Sequence, residues 1–394
     1  MRTEDLRIAV VGAGIGGLTV AAALRRAGLR CVVFEQAPRL AEVGAGLQIA
    51  PNAARQLHRL GLARHLGRVA VRPEAIEMVR WDDGRRIMRM PLGAECERVF
   101  GAPYYTVHRA QLHQGLVDLL EPDTLQLGQR CRAVTERADG VELMFAGGGT
   151  VTADVVVGAD GIHSVVRDQL VRDEPRYSGQ TIYRGLLPAE RVPELTTPPG
   201  VRLWLGQEQH CVAYPVSAGR LVSFAATTPA GTWRTESWVA PGRVADLAAA
   251  YRGWHPQVQA LIGAADAVTR WGLHDRATID RWSSARITLV GDAAHPMLPF
   301  LAQGANQAIE DAVALVACLR SAGPSVAQAL RRYQELRVPR TAEVHRRSRA
   351  NNRTLHLSDG DEQRRRDQDL ALDAELSAQE WLYGYDVELA AARR

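Results

Sequence analysis

The chain is poor in cysteine, and its cysteines form no pattern. Its 394 residues hold five, Cys31, Cys96, Cys131, Cys211 and Cys318, with no C-x-x-C pair among them. That scatter carries no zinc or dithiol signature and points to free thiols in a reducing compartment, so we expect no metal site and a cytoplasmic setting. No run of eighteen apolar residues occurs, so no membrane span is expected. The opening Met-Arg-Thr-Glu-Asp-Leu-Arg leads into a short strand and lacks the apolar core of a signal segment. Neither sign of charge dominates: 48 basic residues stand against 44 acidic ones, interspersed, for a net +4. Such a balance leaves no nucleic-acid footprint. The arginine run Arg364–Arg366 is flanked by acids and reads as a solvated helix face. Internal repeats and low-complexity segments are missing as well.

What is present begins at residue 10 with "VVGAGIGG", in which Gly12, Gly14 and Gly17 follow the spacing G-x-G-x-x-G. The run Arg7–Val11 predicts a buried strand, Gly16–Ala27 a helix and Cys31–Glu35 a second strand. The β-α-β unit has the length of a dinucleotide-binding fold. Gly12 permits a tight turn, Gly14 lets the backbone approach a pyrophosphate, and Gly17 lets the helix pack on the strand. Ile15 and Gly16 complete the loop, whose helix N-terminus offers free N–H groups and a favourable dipole. Glu35, followed by Gln36, ends the second strand where a carboxylate can accept from ribose hydroxyls. The motif alone does not separate NAD from FAD.

Further along, Pro51–Leu60 predicts a helix and Thr150–Gly158 one strand before a tight turn. From Tyr177 to Trp271 the texture changes to alternating segments such as "VRLWLG", "HCVAYPV" and "RLVSFAAT", which read as antiparallel strands. A buried strand returns at Arg286–Val290, then a long helix from Gly304 to Leu319. We therefore expect an α/β fold: a Rossmann-like dinucleotide domain over 1–176 and 272–350, interrupted by a smaller α+β substrate domain with an antiparallel sheet over 177–271, and a helical tail over 351–394. The tail carries Trp381, Tyr383 and Tyr385, and can cap the second domain or a partner subunit.

Two more stretches carry chemistry: "VVVGADGIHSVVR", with Asp160, Gly161, Ser164 and Arg167, and "ITLVGDAAHPMLPFLAQGANQAIEDA", with Asp292, His295, Pro299, Gly304 and Asn306. With the glycine loop they stand in the order and spacing of the class A flavoprotein aromatic hydroxylases, which the chain resembles over nearly its whole length. The resemblance implies a glutathione-reductase-type FAD domain. It also implies a single-component monooxygenase using NADH or NADPH and O2 to hydroxylate an activated aromatic or N-heteroaromatic ring through a flavin hydroperoxide. Asp292 then accepts from a ribityl hydroxyl, and the helix opened by Gly304, Ala305 and Asn306 points its positive end at the flavin pyrimidine. Asp160 belongs to a segment serving flavin and pyridine nucleotide. Arg109, in "YTVHRAQLH", matches an FAD-contacting arginine, with a surface ion pair as its plainer reading. Gln48 falls at the flavin edge. Cys131 falls near the adenine through its backbone, or is a core thiol. The family pattern P-x-x-G-x-G-x-N has Ala302 at its first glycine here, a small residue that should be tolerated.

No second G-x-G-x-x-G and no W-x-W-x-I-P occur, which speaks against two-Rossmann flavoproteins and flavin halogenases. "GWHPQVQALI", "RWSSARITLVGDAAHPM" and "WLYGYDV" bring the chain nearest to the salicylate and 6-hydroxynicotinate hydroxylase branch, although Phe300 stands where the latter carries His. A hydroxyaryl carboxylate is the expected substrate, with or without loss of its carboxylate. His210 and Tyr214, four apart on one strand, share a face and are the expected catalytic pair, or else ordinary sheet residues. Arg184 and Trp204 are further pocket candidates. His295 is read as support for the loop under the flavin. A small aromatic substrate, no nucleic acid and a monomer or homodimer complete the expectation. A tailoring hydroxylase or epoxidase of a larger intermediate, an NAD-dependent dehydrogenase and a non-catalytic flavoprotein-like binder remain as rivals.

Overall fold

Ile8–Val11 forms the middle of a five-stranded parallel sheet. The order across the sheet is Ile287–Leu289, Val155–Gly158, Ile8–Val11, Cys31–Phe34 and Leu125–Gln126. Ile8–Val11, Val155–Gly158 and Ile287–Leu289 are short, fully buried runs rich in β-branched residues, as strands covered on both faces require. A computed structural model describes residues 6–40, 45–229, 240–321, 325–372 and 374–393. The opening residues 1–5, part of the signal-segment reading, lie outside the described residues.

Helix Ile15–Arg26 follows the first strand and lies against helix Gly304–Ser321. Gly16 faces this crossing, where a Cβ would stand at ordinary contact distance from Ala308, 3.4 Å, and Val290, 3.7 Å. Nearly all of helix Gly304–Ser321 is buried, including Ile309, Leu315 and Leu319. Each such side chain contributes roughly 1.5–3 kcal/mol over leaving it in water.

The second layer is an eight-stranded sheet. It contains the expected strands Val201–Gly206, Gln209–Val216 and Leu221–Pro229, joined by the long strand Arg176–Pro188 and by Val268–Asp275. Two of its strands come from outside the 177–271 block. Ala75–Arg80 pairs in parallel with Val201–Gly206, and Arg86–Pro91 hangs on it as a hairpin. Their period-2 pattern is short, so the sequence showed no second sheet there.

This sheet has two unlike faces. Helices Val244–Ala250 and Pro256–Gly263 cover the outer one with Leu247, Tyr251, Trp254, Val258 and Leu261, packed on Trp204, Ala213 and Phe224. The inner face looks toward the dinucleotide domain.

The sequence merged two strands over Thr150–Gly158. They separate at Asp154, Thr150–Ala153 joining a three-stranded antiparallel sheet and Val155–Gly158 the parallel one. The break is held by Arg7, whose amide and guanidinium both donate to the Asp154 carboxylate at 2.8–3.1 Å. The tail packs on its own chain. Leu376, Leu382 and Tyr383 join the cluster around Phe100 and Met90, and Val387 and Ala391 join the dinucleotide-domain core.

Candidate active site

The glycine loop shows three different needs at three positions. Gly12 has φ +102° and a Cβ there would collide with the carbonyl oxygen of Ala159. At Gly17 a Cβ would collide with the carbonyl oxygen of Gly12, so helix and turn touch backbone to backbone. At Gly14 a Cβ would meet nothing within 4 Å. The loop is therefore tight on its protein side and open on the other, the cradle a pyrophosphate fits. Gly14 is the N-cap of helix Ile15–Arg26, with no side chain on the first amides. Ile15 turns into the core, and Gly16 serves the helix crossing.

Glu35 accepts from the amides of Ala13 and Ala37, both at 2.8 Å, one on each carboxylate oxygen. A carboxylate has about four acceptor positions, so capacity for ribose hydroxyls remains. Gln36 beside it is exposed. Asp160 is used differently. Its two oxygens take Ser164 Oγ at 2.5 Å and the amides of Val165 and Val166 at 2.8 and 3.2 Å, so its carboxylate closes its own turn. Burial nonetheless holds its carboxyl above the usual range. Cys131 is a buried thiol, pushed up to about 11 by burial and by the nearby Asp160.

Asp292 lies in the turn after strand Ile287–Leu289, beside the start of helix Gly304–Ser321. Its Oδ1 is 4.0 Å from where a Gly304 Cβ would be. Its side chain is open to solvent yet hemmed in by protein, as at the floor of a cleft. Desolvation there raises the carboxyl, and the charges of His295 and Arg109 pull the other way. Arg109 opens helix Arg109–Val117, its amide donating to the Ala45 carbonyl at 2.8 Å. It also lies within electrostatic reach of Arg184. Asn306 is fully buried. It donates to the carbonyls of Gln48 and Ala302 at 3.0 and 2.7 Å and accepts from the Ala50 amide at 2.9 Å. It thus ties strand Gly46–Ile49, which carries Gln48, to the helix N-terminus, where Ala305 is partly buried beside it. Ala302 takes the left-handed conformation, φ +51°, ψ +35°. That is why a glycine suits this position.

Strand pairing settles which side chains share the inner face of the large sheet. Tyr214 stands opposite Ser223, Val212 opposite Ala225, Ala225 opposite Arg184, and Leu205 opposite His210. His210, Tyr214 and Arg184 are therefore on one face, in adjacent rows. Trp204 is on the other, fully buried under Trp254 and its neighbours, and does not border the cleft. Tyr214 is buried, hydrogen-bonded to Ser223 and Gln48, and its hydroxyl is held above the ordinary tyrosine range by burial while the Arg184 charge opposes the shift. Arg184 lies 4.6 Å over the Trp271 ring. Burial brings its guanidinium down to about 10, with Tyr214 opposing and Arg109 assisting, so it stays a cation at neutral pH. His210 is buried against Phe300, edge to face at 5.7 Å between centroids.

Several supporting residues escaped the sequence reading. His113 holds the Ala13 carbonyl at 2.8 Å and so braces the glycine loop. Tyr104 donates to Gln48 Oε1 at 2.7 Å and is itself hydrogen-bonded to Tyr383 of the tail. Arg167, which the sequence reading did name, holds the carbonyls of Ala293 and Ala294, next to Asp292, at 3.0 and 2.9 Å. His295 does support this loop: its Nε2 is 2.5 Å from Asp311 Oδ2, which also accepts from the Gly291 amide. Arg337 joins that network from helix Val326–Leu355, reaching Asp311 at 2.7 Å. The five cysteines carry no disulfide, and among the described residues no group of His, Cys, Asp and Glu is placed to hold a metal and no helix is long and apolar enough to cross a membrane.

A family model described as "FAD binding domain" matches residues 5–348. A 3-amino-4-hydroxybenzoate 2-monooxygenase of Streptomyces platensis is 51% identical over 387 residues, spanning 98% of each chain. A 6-hydroxynicotinate 3-monooxygenase of Bordetella bronchiseptica is 37% identical over 344 residues, 86% of this chain and 90% of its own. Among solved structures, Klebsiella pneumoniae HpxO complexed with FAD and uric acid superposes with a TM-score of 0.85 at 28% identity, covering 98% of this chain and 97% of that one. The amino-substituted hydroxybenzoate enzyme is thus more similar than the N-heteroaromatic one toward which the sequence motifs leaned.

Proposed function

The chain belongs to the FAD-binding family of class A flavoprotein hydroxylases, and from that premise we propose that it hydroxylates a ring carbon of an aminohydroxybenzoate-type acid. FAD-dependent monooxygenation with NAD(P)H and O2 is the family's chemistry. FAD, when bound, supplies the electron transfer and the activated oxygen. The rest of the work falls to side chains. The observation that carries the substrate class is the placement of Arg184 and Tyr214 on adjacent rows of the inner face, with Arg109 within electrostatic reach of Arg184 and of Asp292. A guanidinium fork matches a carboxylate. Tyr214, fixed by Ser223 and Gln48, orients the ring, and His210 borders its far end. Phe300, Leu298 and Trp271 form an apolar wall that keeps water off the reacting carbon. When FAD is bound, the start of helix Gly304–Ser321 would face its ring system with a positive helix end, and Asp292 would accept from a ribityl hydroxyl. Five free thiols suit an enzyme of the reducing cytoplasm.

The test is NAD(P)H oxidation by the flavin-loaded protein with 3-amino-4-hydroxybenzoate, 3-hydroxybenzoate, 6-hydroxynicotinate and 2-aminophenol, which lacks the carboxylate. We expect the first to stimulate oxidation most and to gain one oxygen, and Arg184→Met to raise its KM while leaving 2-aminophenol unaffected. Preference for 6-hydroxynicotinate, or equal use of 2-aminophenol, would reject the assignment. Asp292→Ala should purify with less flavin; full retention would remove the ribityl contact.

A further inference from the structure

His210 is not held alone. Its Nδ1 lies 2.8 Å from Nε2 of His356, the C-cap of helix Val326–Leu355, and the rings are stacked with centroids 5.0 Å apart. His356 turns its other nitrogen back one helical turn. Its Nδ1 is 3.0 Å from Asn352 Oδ1 and also faces the main-chain carbonyl of Asn352. Both oxygens only accept, so His356 donates through Nδ1. A neutral His356 then has a lone pair at Nε2. Burial brings it down to about 4, so it is neutral at working pH.

Two lone pairs cannot face each other at 2.8 Å, so the proton between the rings sits on His210 Nδ1. Thr227 Oγ1, 3.2 Å from both ring nitrogens, bridges the pair without changing this conclusion. Burial, and then His356, hold His210 far below the ordinary histidine range, so it is neutral too. Phe300 clamps both rings edge-on, 5.7 Å from His210 and 5.3 Å from His356.

We propose that His356, with Asn352, is a positioning residue that fixes His210 as its Nδ1–H tautomer, so that His210 presents a bare Nε2 as an acceptor to the ring hydroxyl or amine of the substrate. This rests on the placement of His210 at the substrate given above. A nitrogen so resistant to protonation aligns a donor and does not carry its proton away. The order of donors is set from outside the sheet: Asn352 fixes His356, and His356 fixes His210. The arrangement also gives the start of the tail a task in the chemistry, since His356 lies where the long helix ends.

The experiment uses the FAD-loaded enzyme labelled with 15N only in histidine. The His210 ring signals are identified by their loss in His210→Gln. We expect a protonated Nδ1 and a bare Nε2. His356→Leu removes the acceptor, so His210 should turn to the Nε2–H form usual in water. Product per NAD(P)H should then fall several-fold, with hydrogen peroxide rising. His356→Gln places an amide oxygen near the position of the lost Nε2 and should restore both tautomer and coupling. A wild-type His210 protonated at Nε2, or one unchanged by His356→Leu, overturns the proposal at its own step. Tautomer control together with unaltered coupling in both His210→Gln and His356→Leu overturns it at the borrowed step, the placement of His210 against the substrate.

Discussion

Two buried polar clusters stand on either side of the cleft, and they are built on opposite plans. Along helix Gly304–Ser321, Glu310, Asp311, Arg337 and Arg340 form a charged knot with His295. Arg337 meets Glu310 at 2.5 Å and Asp311 at 2.7 Å, and Arg340 meets Glu310 at 2.7 Å. At the eight-stranded sheet, His210, Thr227, His356 and Asn352 form a chain with no full charge in it. Burial disfavours the ionised forms of Glu310 and Asp311, yet the facing cations outweigh it and hold both carboxyls below their usual range. Burial disfavours ionised His210 and His356 as well, and no carboxylate offsets it, so both stay neutral. The difference teaches where charge is tolerated. Around Glu310 and Asp311 an ionic knot anchors two helices and the Asp292 loop, each buried carboxylate facing cations. Around His210 and His356 hydrogen-bond direction takes the place of charge.

The comparison breaks most visibly at Arg337. Arg337→Met leaves two carboxylates short of a partner at sites with no exposure. Removing one member of a buried ion pair costs about 3–5 kcal/mol, so chemical denaturation should show a loss of that size. Arg337→Lys should fall between, because it keeps the charge and loses the fork. A loss below about 1 kcal/mol would mean that Arg340 and His295 suffice.

The neutral chain should fail with pH. The folded value of His356 is depressed, from 6.5 to about 4. Its contribution is therefore present above pH 6.5 and lost as pH falls toward 4, where the unfolded chain has taken up a proton that the folded one refuses. A shift of that size corresponds to at most ~3 kcal/mol. The stability difference between wild type and His356→Leu should shrink by up to that amount across the window, and parallel curves would contradict it. A smaller effect belongs to the tail. Tyr383→Phe removes the hydroxyl that meets Tyr104, the partner of Gln48, and should cost about 1 kcal/mol.

How legible each side was follows from sequence distance. Gly12, Gly14, Gly17 and Glu35 lie within one β-α-β unit, where strand, turn and helix follow local rules. The geometry of that loop is therefore legible in the glycine spacing taken with its place between strand and helix. The substrate side could be read only as two alternating faces. Period-2 alternation places His210 with Tyr214 and sets Trp204 apart from Leu205, but it cannot say which face meets the cleft. The pairing of Leu205 with His210 decides that, and it sends Trp204 to the core. His210 and His356 are 146 residues apart, and nothing in either local sequence announces the partner. Likewise the strands of 75–91 join the large sheet through pairing with Val201–Gly206, a contact no local pattern encodes.

The smallest effect lies at Ala302, where this chain departs from the family pattern. Ala302 has φ +51° between the turn Pro299–Leu301 and helix Gly304–Ser321, and its carbonyl accepts from Asn306 Nδ2 at 2.7 Å. A side chain in the left-handed region costs about 1–2 kcal/mol. Glycine relieves that strain but adds about 0.4–1 kcal/mol of freedom to the unfolded chain. Ala302→Gly should therefore stabilise the protein slightly, by roughly 0.5 kcal/mol. The same exchange lets the hydrogen bond from Asn306 Nδ2 to the carbonyl of residue 302 loosen, since glycine reaches many conformations that alanine does not. If alanine is here to stiffen the joint between Phe300 and the flavin-side helix, the glycine variant gains stability and loses coupling of NAD(P)H oxidation to product. A variant that is both less stable and equally coupled would mean that the neighbours hold the left-handed turn without strain on the alanine, and that residue 302 does not set coupling.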